Sequence, residues 1–340
     1  MPEPLLRVRD LRTYFYTEGG VAKAVDGVTF DIAAGETVGL VGESGCGKSV
    51  TALSLLRLIR QPGRIENGSE IQFDGNNLVT LDEKSMRAIR GARMSMVFQE
   101  PMTALNPVFK IGEQIAEVVR VHHGGTKREA RERAIKMLET VGIASPAERA
   151  DDYPHQLSGG MRQRVVIAMA LVMNPALVIA DEPTTALDVT IQAQILELLR
   201  ELQQKFGTSI LLITHDLGVV AETVSRVIVM YGGEIVEQAA VGELFASAHH
   251  PYTEGLLNAM PQVGHERDRL ATIPGSVPPP TAWPKGCRFH DRCQYAWDRC
   301  ASEHPPLYQI GGGHVSRCHL AEEPERRANV HEPLVVKAAS

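Results

Sequence analysis

A glycine-rich segment near the N-terminus has the composition of a phosphate-binding loop. Residues 42–49 read Gly-Glu-Ser-Gly-Cys-Gly-Lys-Ser, which fits the spacing G-x-x-x-x-G-K-[ST]. In such a loop backbone N–H groups surround the phosphates, Lys48 neutralises phosphate charge and the Ser49 hydroxyl coordinates Mg²⁺. An apolar run before it and a helix-like run after it provide the strand and helix that the motif requires. The binding residues predicted here are Gly42, Ser44, Gly45, Cys46, Gly47, Lys48, Ser49 and Val50.

Two adjacent carboxylates follow a second apolar run, residues 177–180. Ligands bind at the carboxyl ends of strands in an α/β sheet, which is where Asp181 and Glu182 would lie. Asp181 would hold Mg²⁺ through water, and Glu182 would polarise an attacking water as general base. An Asp-Glu pair alone is usually a solvated turn, and a lone glycine motif could be a chance turn. Their combination favours hydrolysis of a nucleotide.

A third candidate site is the beginning of a helix at Ser158-Gly159-Gly160. Ser158 can cap this helix, and the exposed N–H groups of the two glycines make an end that attracts anions. Taken alone, the segment could be only a helix cap.

The elements that must position these residues alternate along the chain. Strand-like runs occupy residues 5–8, 28–32, 37–41, 177–180 and 209–214, and helical spacing marks residues 111–117, 127–141 and 190–205. This alternation predicts an α/β fold on a largely parallel sheet. Five prolines between residues 273 and 284 predict an extended arm, since proline is excluded from helix interiors and central strands.

Composition excludes several classes of protein. The chain has 340 residues, 44% hydrophobic, with a formal net charge of −6. It is too apolar for a disordered chain and lacks the general positive charge of a nucleic-acid-binding protein. The richest apolar stretch, residues 165–173, is too short to span a membrane, and the N-terminus lacks the apolar core of a secretory signal. Cytoplasmic residence is therefore the default expectation.

Four of the five cysteines lie after the proline-rich arm. Cys287, Cys293, Cys300 and Cys318 are separated by five, six and seventeen residues. No pair has the gap of two to four residues usual in zinc sites, and disulfides are disfavoured in the cytosol. Four thiolates are the ligand set of an iron–sulfur cluster. Spacing alone leaves a cluster, zinc or four free thiols open.

The three candidate sites, taken in their order along the chain, resemble the ATP-binding-cassette (ABC) ATPases. The phosphate loop and Asp181-Glu182 match the family's nucleotide motifs, and Leu157–Arg164 matches its signature segment. Gln99 matches the Q-loop, Ala186-Leu187-Asp188 the D-loop and His215 the switch histidine. Phe15 would be the aromatic that stacks on adenine, with Tyr14 or Tyr16 as alternatives. The resemblance covers about residues 5–240.

This resemblance implies a fold and a mechanism. The fold would be an α/β P-loop cassette with a RecA-like parallel sheet core, an antiparallel β subdomain and a helical subdomain over about residues 101–160, hinged at Gln99. Two cassettes would sandwich ATP head to tail, so that Ser158, Gly159 and Gly160 touch the γ-phosphate bound by the other cassette. Glu182 and His215 would be catalytic, Gln99 would join Ser49 and Asp181 as magnesium ligands, and Asp188 would contact the nucleotide site.

The C-terminal part is similar to the oligopeptide/dipeptide importer subfamily, through His-Pro-Tyr-Thr at residues 250–253 and Leu-Leu at 256–257. The domains would be a cassette over residues 1–245 and an extension over 246–340. The resemblance assigns the four late cysteines to a [4Fe-4S] cluster, with zinc as the alternative. Nearby His290, His314 and His319 would be surface or supporting residues.

The same resemblance implies partners and a location. These are two transmembrane permease subunits, a second and different ABC ATPase chain, and an extracytoplasmic peptide-binding protein reached through the permease, with no nucleic acid. The chain would lie at the cytoplasmic face of the inner membrane as a peripheral subunit. Nickel import is the close alternative. A soluble ABC ATPase of translation or DNA repair would usually carry two cassettes or a long coiled-coil insertion, and a non-catalytic cassette is disfavoured by Lys48 and Glu182.

Overall fold

The computed structural model describes residues 3–185, 188–260 and 272–329. The strands are β1 (Leu6–Thr17), β2 (Gly20–Ile32), β3 (Thr37–Val41), β4 (Gly63–Ile65), β5 (Glu70–Phe73), β6 (Asn76–Asn77), β7 (Met94–Val97), β8 (Leu177–Asp181), β9 (Ser209–Thr214), β10 (Arg226–Tyr231), β11 (Glu234–Ala240), β12 (Tyr308–Gly311) and β13 (His314–Ser316). The α-helices are α1 (Lys48–Leu55), α2 (Glu83–Ile89), α3 (Pro101–Ala104), α4 (Ile111–His123), α5 (Lys127–Thr140), α6 (Pro146–Arg149), α7 (Gly159–Leu171), α8 (Val189–Phe206), α9 (Leu217–Thr223), α10 (Val241–Ala246), α11 (Pro251–Asn258) and α12 (Asp298–Ser302).

The chain forms two compact units, each built from several segments. The first consists of Met1–Arg7, Asp31–Thr37 and Gln72–Ile213, and the second of Val8–Phe30, Val38–Ile71 and Thr214–Ser340. The extension after residue 245 therefore belongs to the same unit as the glycine-rich loop. A domain boundary near residue 245 stays a prediction.

In the first unit β8 lies between β7 and β9, and both pairings are parallel. Every residue of β8 and β9 is buried, as expected for parallel strands that are covered on both faces. Asp181 is the last residue of β8, so the sheet ends where the predicted carboxylates begin.

The predicted helical region is also in the first unit. The helical spacing of residues 111–117 and 127–141 is confirmed by α4 and α5, and that of residues 190–205 by α8. At the beginning of α5, Thr126 accepts a hydrogen bond from the Glu129 N–H while Glu129 accepts one from the Thr126 N–H. This reciprocal cap satisfies two backbone donors that would otherwise lack helical partners.

The second unit carries the strand that leads into the glycine-rich loop. β3 pairs with β10 in the parallel sense, and β10 pairs with β11 in the antiparallel sense. Beyond β11, the extension adds β13 and β12, both antiparallel. The proline-rich arm at residues 273–284 contains no helix or strand, as the exclusion of proline from these elements predicts.

β1 is longer than the strand predicted at residues 5–8. Its buried side chains are Leu6 and Val8, and then Leu11 and Thr13, so the alternation shifts by one residue between the two pairs. Asp10 lies at this shift with a φ of 48°. A single left-handed residue turns the side chains that follow it onto the opposite face of the strand. The alternation of buried and partly exposed side chains that begins at Leu6 is therefore interrupted after Val8, although the strand continues.

Among the described residues, no helix is both long and apolar enough to cross a membrane.

Candidate nucleotide site and cysteine pocket

The glycine-rich loop has a backbone that only glycine accommodates at two positions. Gly42 has a φ of 152° and Gly47 a φ of 107°. A Cβ atom would lie 2.2 Å from the Met230 carbonyl oxygen at Gly42, and 2.4 Å from that of Ala24 at Gly47. The loop thus lies directly against the backbone of β10 and β2. Such close approach is what lets loop N–H groups face a phosphate.

Lys48 is the first residue of α1, and its side chain turns back over the loop. Its Nζ donates hydrogen bonds to the carbonyl oxygens of Gly42 at 2.7 Å and of Glu43 at 3.1 Å. The side chain is buried. The loop therefore places one cation at its centre, as phosphate binding requires.

Cys46 lies buried inside the same loop. Burial raises the pKa of its thiol, although the nearby Lys48 acts in the opposite direction. A protonated, buried thiol is a poor nucleophile. The Cys46 side chain therefore packs inside the loop and is not a nucleophile.

Gln99 and Glu182 lie together in the first unit. The Gln99 Nε2 donates to Glu182 Oε2 at 3.0 Å, and the Thr185 hydroxyl donates to the same oxygen at 2.9 Å. Asp181, the neighbouring residue, is buried. The carboxylate of Glu182 is therefore held in one orientation immediately after β8.

Glu182 itself has a left-handed backbone, with a φ of 45°. Its N–H donates to the Ile213 carbonyl oxygen at 2.9 Å, which ties the turn to β9. Non-glycine residues in this region cost about 1–3 kcal/mol and concentrate at functional sites. Sequence reasoning missed Thr185, although a threonine three residues after the carboxylate, in a turn, is the available signal.

The signature segment forms the beginning of α7, as predicted. Ser158 is the N-cap, and its Oγ accepts a hydrogen bond from the Met161 N–H at 3.3 Å. Gly159 and Gly160 are the first residues of the helix. A Cβ on Gly160 would lie 2.9 Å from Cγ2 of Ile191, so α8 packs against this glycine.

Asp188 caps α8, because its Oδ1 accepts from the Ile191 N–H at 3.0 Å. The rest of the predicted D-loop, Ala186 and Leu187, lies outside the described residues.

His215 follows β9 and is exposed. The next residue, Asp216, caps α9 through the N–H groups of Gly218 and Val219.

The three aromatic candidates for adenine stacking differ in their contacts. Phe15 is half-buried, and its ring lies where a side chain on Gly63 would be. The Tyr14 hydroxyl donates to Asp26, and burial together with this carboxylate raises its pKa. Tyr16 is exposed, with the Arg64 guanidinium 4.1 Å from its ring centroid. Both tyrosines have side-chain partners, so Phe15 stays the predicted residue.

The four late cysteines line one pocket in the extension, together with Phe289, Tyr295 and Trp297 among others. All four are free thiols, and Cys300 and Cys318 are buried. Burial, with the neighbouring cysteines adding to it, raises the pKa of Cys287 to about 12 and that of Cys318 to about 11. The donor set fits a thiolate-bound metal group, but no three His, Cys, Asp or Glu residues of the described chain are arranged to hold a metal ion.

The nearby histidines make other contacts. His314 hydrogen-bonds Glu237 at 2.7 Å, and His319 hydrogen-bonds the Tyr308 hydroxyl at 3.2 Å. Both are buried, so of the two expected placements, surface or supporting, the surface one does not apply to them. The half-buried His290 hydrogen-bonds the Cys287 carbonyl oxygen at 2.7 Å and so supports the pocket.

Two family models match the chain. The first, described as "ABC transporter", matches residues 25–185, and the second, "Oligopeptide/dipeptide transporter, C-terminal region", matches residues 236–300. The solved dimeric structure of the ATP-binding cassette MJ0796 bound to ADP and Pi is similar to this chain, with a TM-score of 0.62 and 28% identity. That match covers 69% of this chain and 98% of the other.

Curated relatives match almost the whole chain. The oligopeptide transport ATP-binding protein AppD of Bacillus subtilis (strain 168) is 55% identical over 320 residues, 94% of this chain and 97% of that protein. The dipeptide transport ATP-binding protein DppD of Escherichia coli (strain K12) is 50% identical over 315 residues, 93% of this chain and 96% of that protein. The chain therefore belongs to the ATP-binding subunits of ABC transporters that carry the oligopeptide/dipeptide C-terminal region, and it is an ATPase.

Proposed function

We propose that this chain couples its ATP hydrolysis to the import of dipeptides or oligopeptides through a membrane permease. The observation that carries the hydrolytic part is the Glu182 carboxylate, held by Gln99 and Thr185 directly after β8. The peptide cargo is supported by relatives at 50–55% identity that are named for oligopeptide or dipeptide transport.

Most of the predicted site residues have a proposed role in this reaction. Lys48 and the loop N–H groups bind the phosphates, and Phe15 stacks on adenine. Glu182 accepts a proton from the attacking water, and His215 contacts the γ-phosphate. Ser49, Gln99 and Asp181 are the proposed magnesium ligands, and bound Mg²⁺ would neutralise phosphate charge.

We propose that the chain works as half of a cassette pair. Ser158, Gly159 and Gly160 form a helix N-terminus that attracts anions, and their proposed ligand is the γ-phosphate on the other cassette. A different ATPase chain is the proposed second cassette, with two permease subunits and an extracytoplasmic peptide-binding protein completing the importer. The chain would then lie at the cytoplasmic face of the membrane.

Purification of the tagged chain from native membranes tests this function. We expect two permease subunits to co-purify, and the associated binding protein to hold peptides that mass spectrometry identifies. A binding protein that holds nickel would replace the peptide proposal with nickel import. Recovery with ribosomal or DNA-repair proteins and no permease would contradict transport.

We also propose that the cysteine pocket holds a [4Fe-4S] cluster, with zinc as the alternative. Four thiols in one largely apolar pocket support this, because a bound cation would stabilise the thiolate charge that burial disfavours. Anaerobically purified protein should contain about four iron and four sulfide per chain.

Matched serine variants test the cluster. Cys300→Ser should lose the iron, whereas Cys46→Ser should keep it because Cys46 lies in the phosphate loop. A colourless protein that contains zinc and no iron would contradict the cluster and support the alternative.

A further inference from the structure

The C-terminal extension contacts the phosphate loop at its second residue, Glu43. The two terminal nitrogens of Arg292 donate to the two carboxylate oxygens of Glu43, at 2.7 and 3.0 Å. The Glu43 N–H donates to the Tyr252 hydroxyl oxygen at 2.7 Å. The extension thus binds both the side chain and the backbone of one loop residue.

Arg292 is held by several partners besides Glu43. Its side chain is only 5% exposed. Its Nε donates to the Pro274 carbonyl oxygen at 2.8 Å, and its guanidinium lies 5.7 Å from the ring centroid of Tyr231. A planar guanidinium with all of these partners has little conformational freedom left to lose when it binds Glu43 in bidentate fashion.

Tyr252 is fixed equally well. It is fully buried, and its ring centroid lies 4.7 Å from that of Tyr231 and 5.4 Å from that of Phe289. This aromatic cluster joins β10, α11 and the cysteine-bearing segment. The hydroxyl that accepts the Glu43 N–H therefore has a defined position.

The contact lies next to the residue that binds phosphate. Lys48 Nζ donates to the carbonyl oxygens of Gly42 and Glu43, so Glu43 links the extension to the lysine. Ordering a flexible loop on binding costs free energy and so weakens affinity, whereas a loop already held in its bound shape avoids that cost.

We propose that Arg292 and Tyr252 are positioning residues, through which the extension holds the phosphate loop in the shape that receives nucleotide. The inference rests on the proposed phosphate-binding role of this loop. Loss of the contact weakens nucleotide binding and leaves the hydrolytic step, which depends on Glu182, nearly unchanged.

Binding measurements on the full chain test the inference, with a fluorescent ATP analogue and Mg²⁺ as the probe. Arg292→Gln should raise the Kd roughly five- to tenfold. The KM for ATP should rise in parallel while kcat stays within about twofold, because uniform binding is lost. Arg292→Lys keeps the charge but not the bidentate geometry, so its Kd should lie between those of the wild type and Arg292→Gln.

The double variant of Glu43→Gln with Arg292→Gln separates this contact from a general loss of stability. Because both changes remove the same interaction, the double variant should bind no more weakly than either single variant. Glu43→Gln removes the same ion pair without changing the extension. Its Kd therefore tests the inference even where Arg292→Gln fails to fold.

Arg299→Gln is the matched control. Arg299 precedes Cys300 as Arg292 precedes Cys293, but it pairs with Glu303, Glu322 and Glu323 in the extension. Its Kd should equal that of the wild type. A wild-type Kd for Arg292→Gln, an equal loss in Arg299→Gln, or additive effects in the double variant would overturn the inference. A wild-type chain that binds no nucleotide would instead refute the proposed function of the loop.

Discussion

Single residues at the end of β8 give the clearest chemical signal in the chain. Glu182 combines a left-handed backbone with two side-chain donors on one carboxylate oxygen. These two donors orient the carboxylate directly after the strand. This arrangement leads to a direct test of its role.

Glu182→Gln should lower ATP hydrolysis by about 10²- to 10⁴-fold, the usual contribution of a general base. The Kd for ATP should stay within about twofold, because glutamine has nearly the same shape. Thr185→Val removes only one donor to the carboxylate, so its loss of kcat should be smaller. Wild-type turnover by Glu182→Gln, measured by phosphate release, would refute the assignment.

His250 predicts a loss of stability in mild acid. It is fully buried, its Nδ1 accepts the Tyr252 N–H at 3.1 Å, and burial lowers its pKa to about 4 although Glu237 acts in the opposite direction. The unfolded chain takes up this proton near pH 6.5 and the folded chain only near pH 4. The contribution of His250 is therefore present above pH 6.5 and is lost as the pH falls toward 4, by about 2 kcal/mol at pH 5.

Urea unfolding at pH 7.5 and pH 5 measures this loss. His250→Asn is the control, since asparagine does not titrate and its side-chain oxygen can still cap α11. The free energy of unfolding of this variant should change less between the two pH values. An identical change in both proteins would contradict the assignment to His250.

At the scale of elements, the phosphate loop is shaped by the strands beside it. β3 delivers the chain to Gly42, and the Met230 carbonyl of the neighbouring β10 leaves no space for a side chain there. The shape of the loop thus depends both on glycine at position 42 and on the packing of β10 against it.

Gly42→Ala and Gly45→Ala separate the effect of backbone strain from the effect of packing against β10. Both positions have a positive φ, but a Cβ would lie 2.2 Å from the Met230 oxygen at Gly42 and in open space at Gly45. We expect Gly45→Ala to cost about 1 kcal/mol of stability from backbone strain alone. Gly42→Ala should cost roughly 2–4 kcal/mol and abolish nucleotide binding, because backbone must shift. Equal melting temperatures for the two variants would contradict this interpretation.

At the scale of the whole molecule, the extension completes the second unit. β13 pairs with β11, and Tyr231 of β10 is buried beneath Tyr252 and Phe289. Tyr252 and Phe289 lie within the second matched family region, residues 236–300, whereas Tyr231 precedes it.

A chain ending at residue 245 should therefore be less stable than the full chain. It would expose Tyr231 and leave β11 without β13, and we expect a loss of at least about 3 kcal/mol, the usual cost of removing one buried aromatic ring. The exposed strand edge should also promote aggregation. Thermal unfolding and light scattering measure both effects. A monomeric truncated chain with the melting temperature of the full chain would contradict the expectation.

The sequence by itself determined the features that depend on short segments. The phosphate loop, the cap at Ser158, the proline-rich arm and the helical spacing of α4, α5 and α8 each follow from neighbouring residues, because turn conformation, capping and amphipathic periodicity are local properties. The family followed from the order of these motifs.

Only the tertiary structure decided which distant residues meet. Gln99 and Glu182 are 83 positions apart, and Glu43 and Arg292 are 249 apart. The spacing of the late cysteines left several sites open, and the fold alone brought all four thiols into one pocket. Such contacts leave no periodic pattern in the chain, since they depend on how strands and loops pack after each has formed.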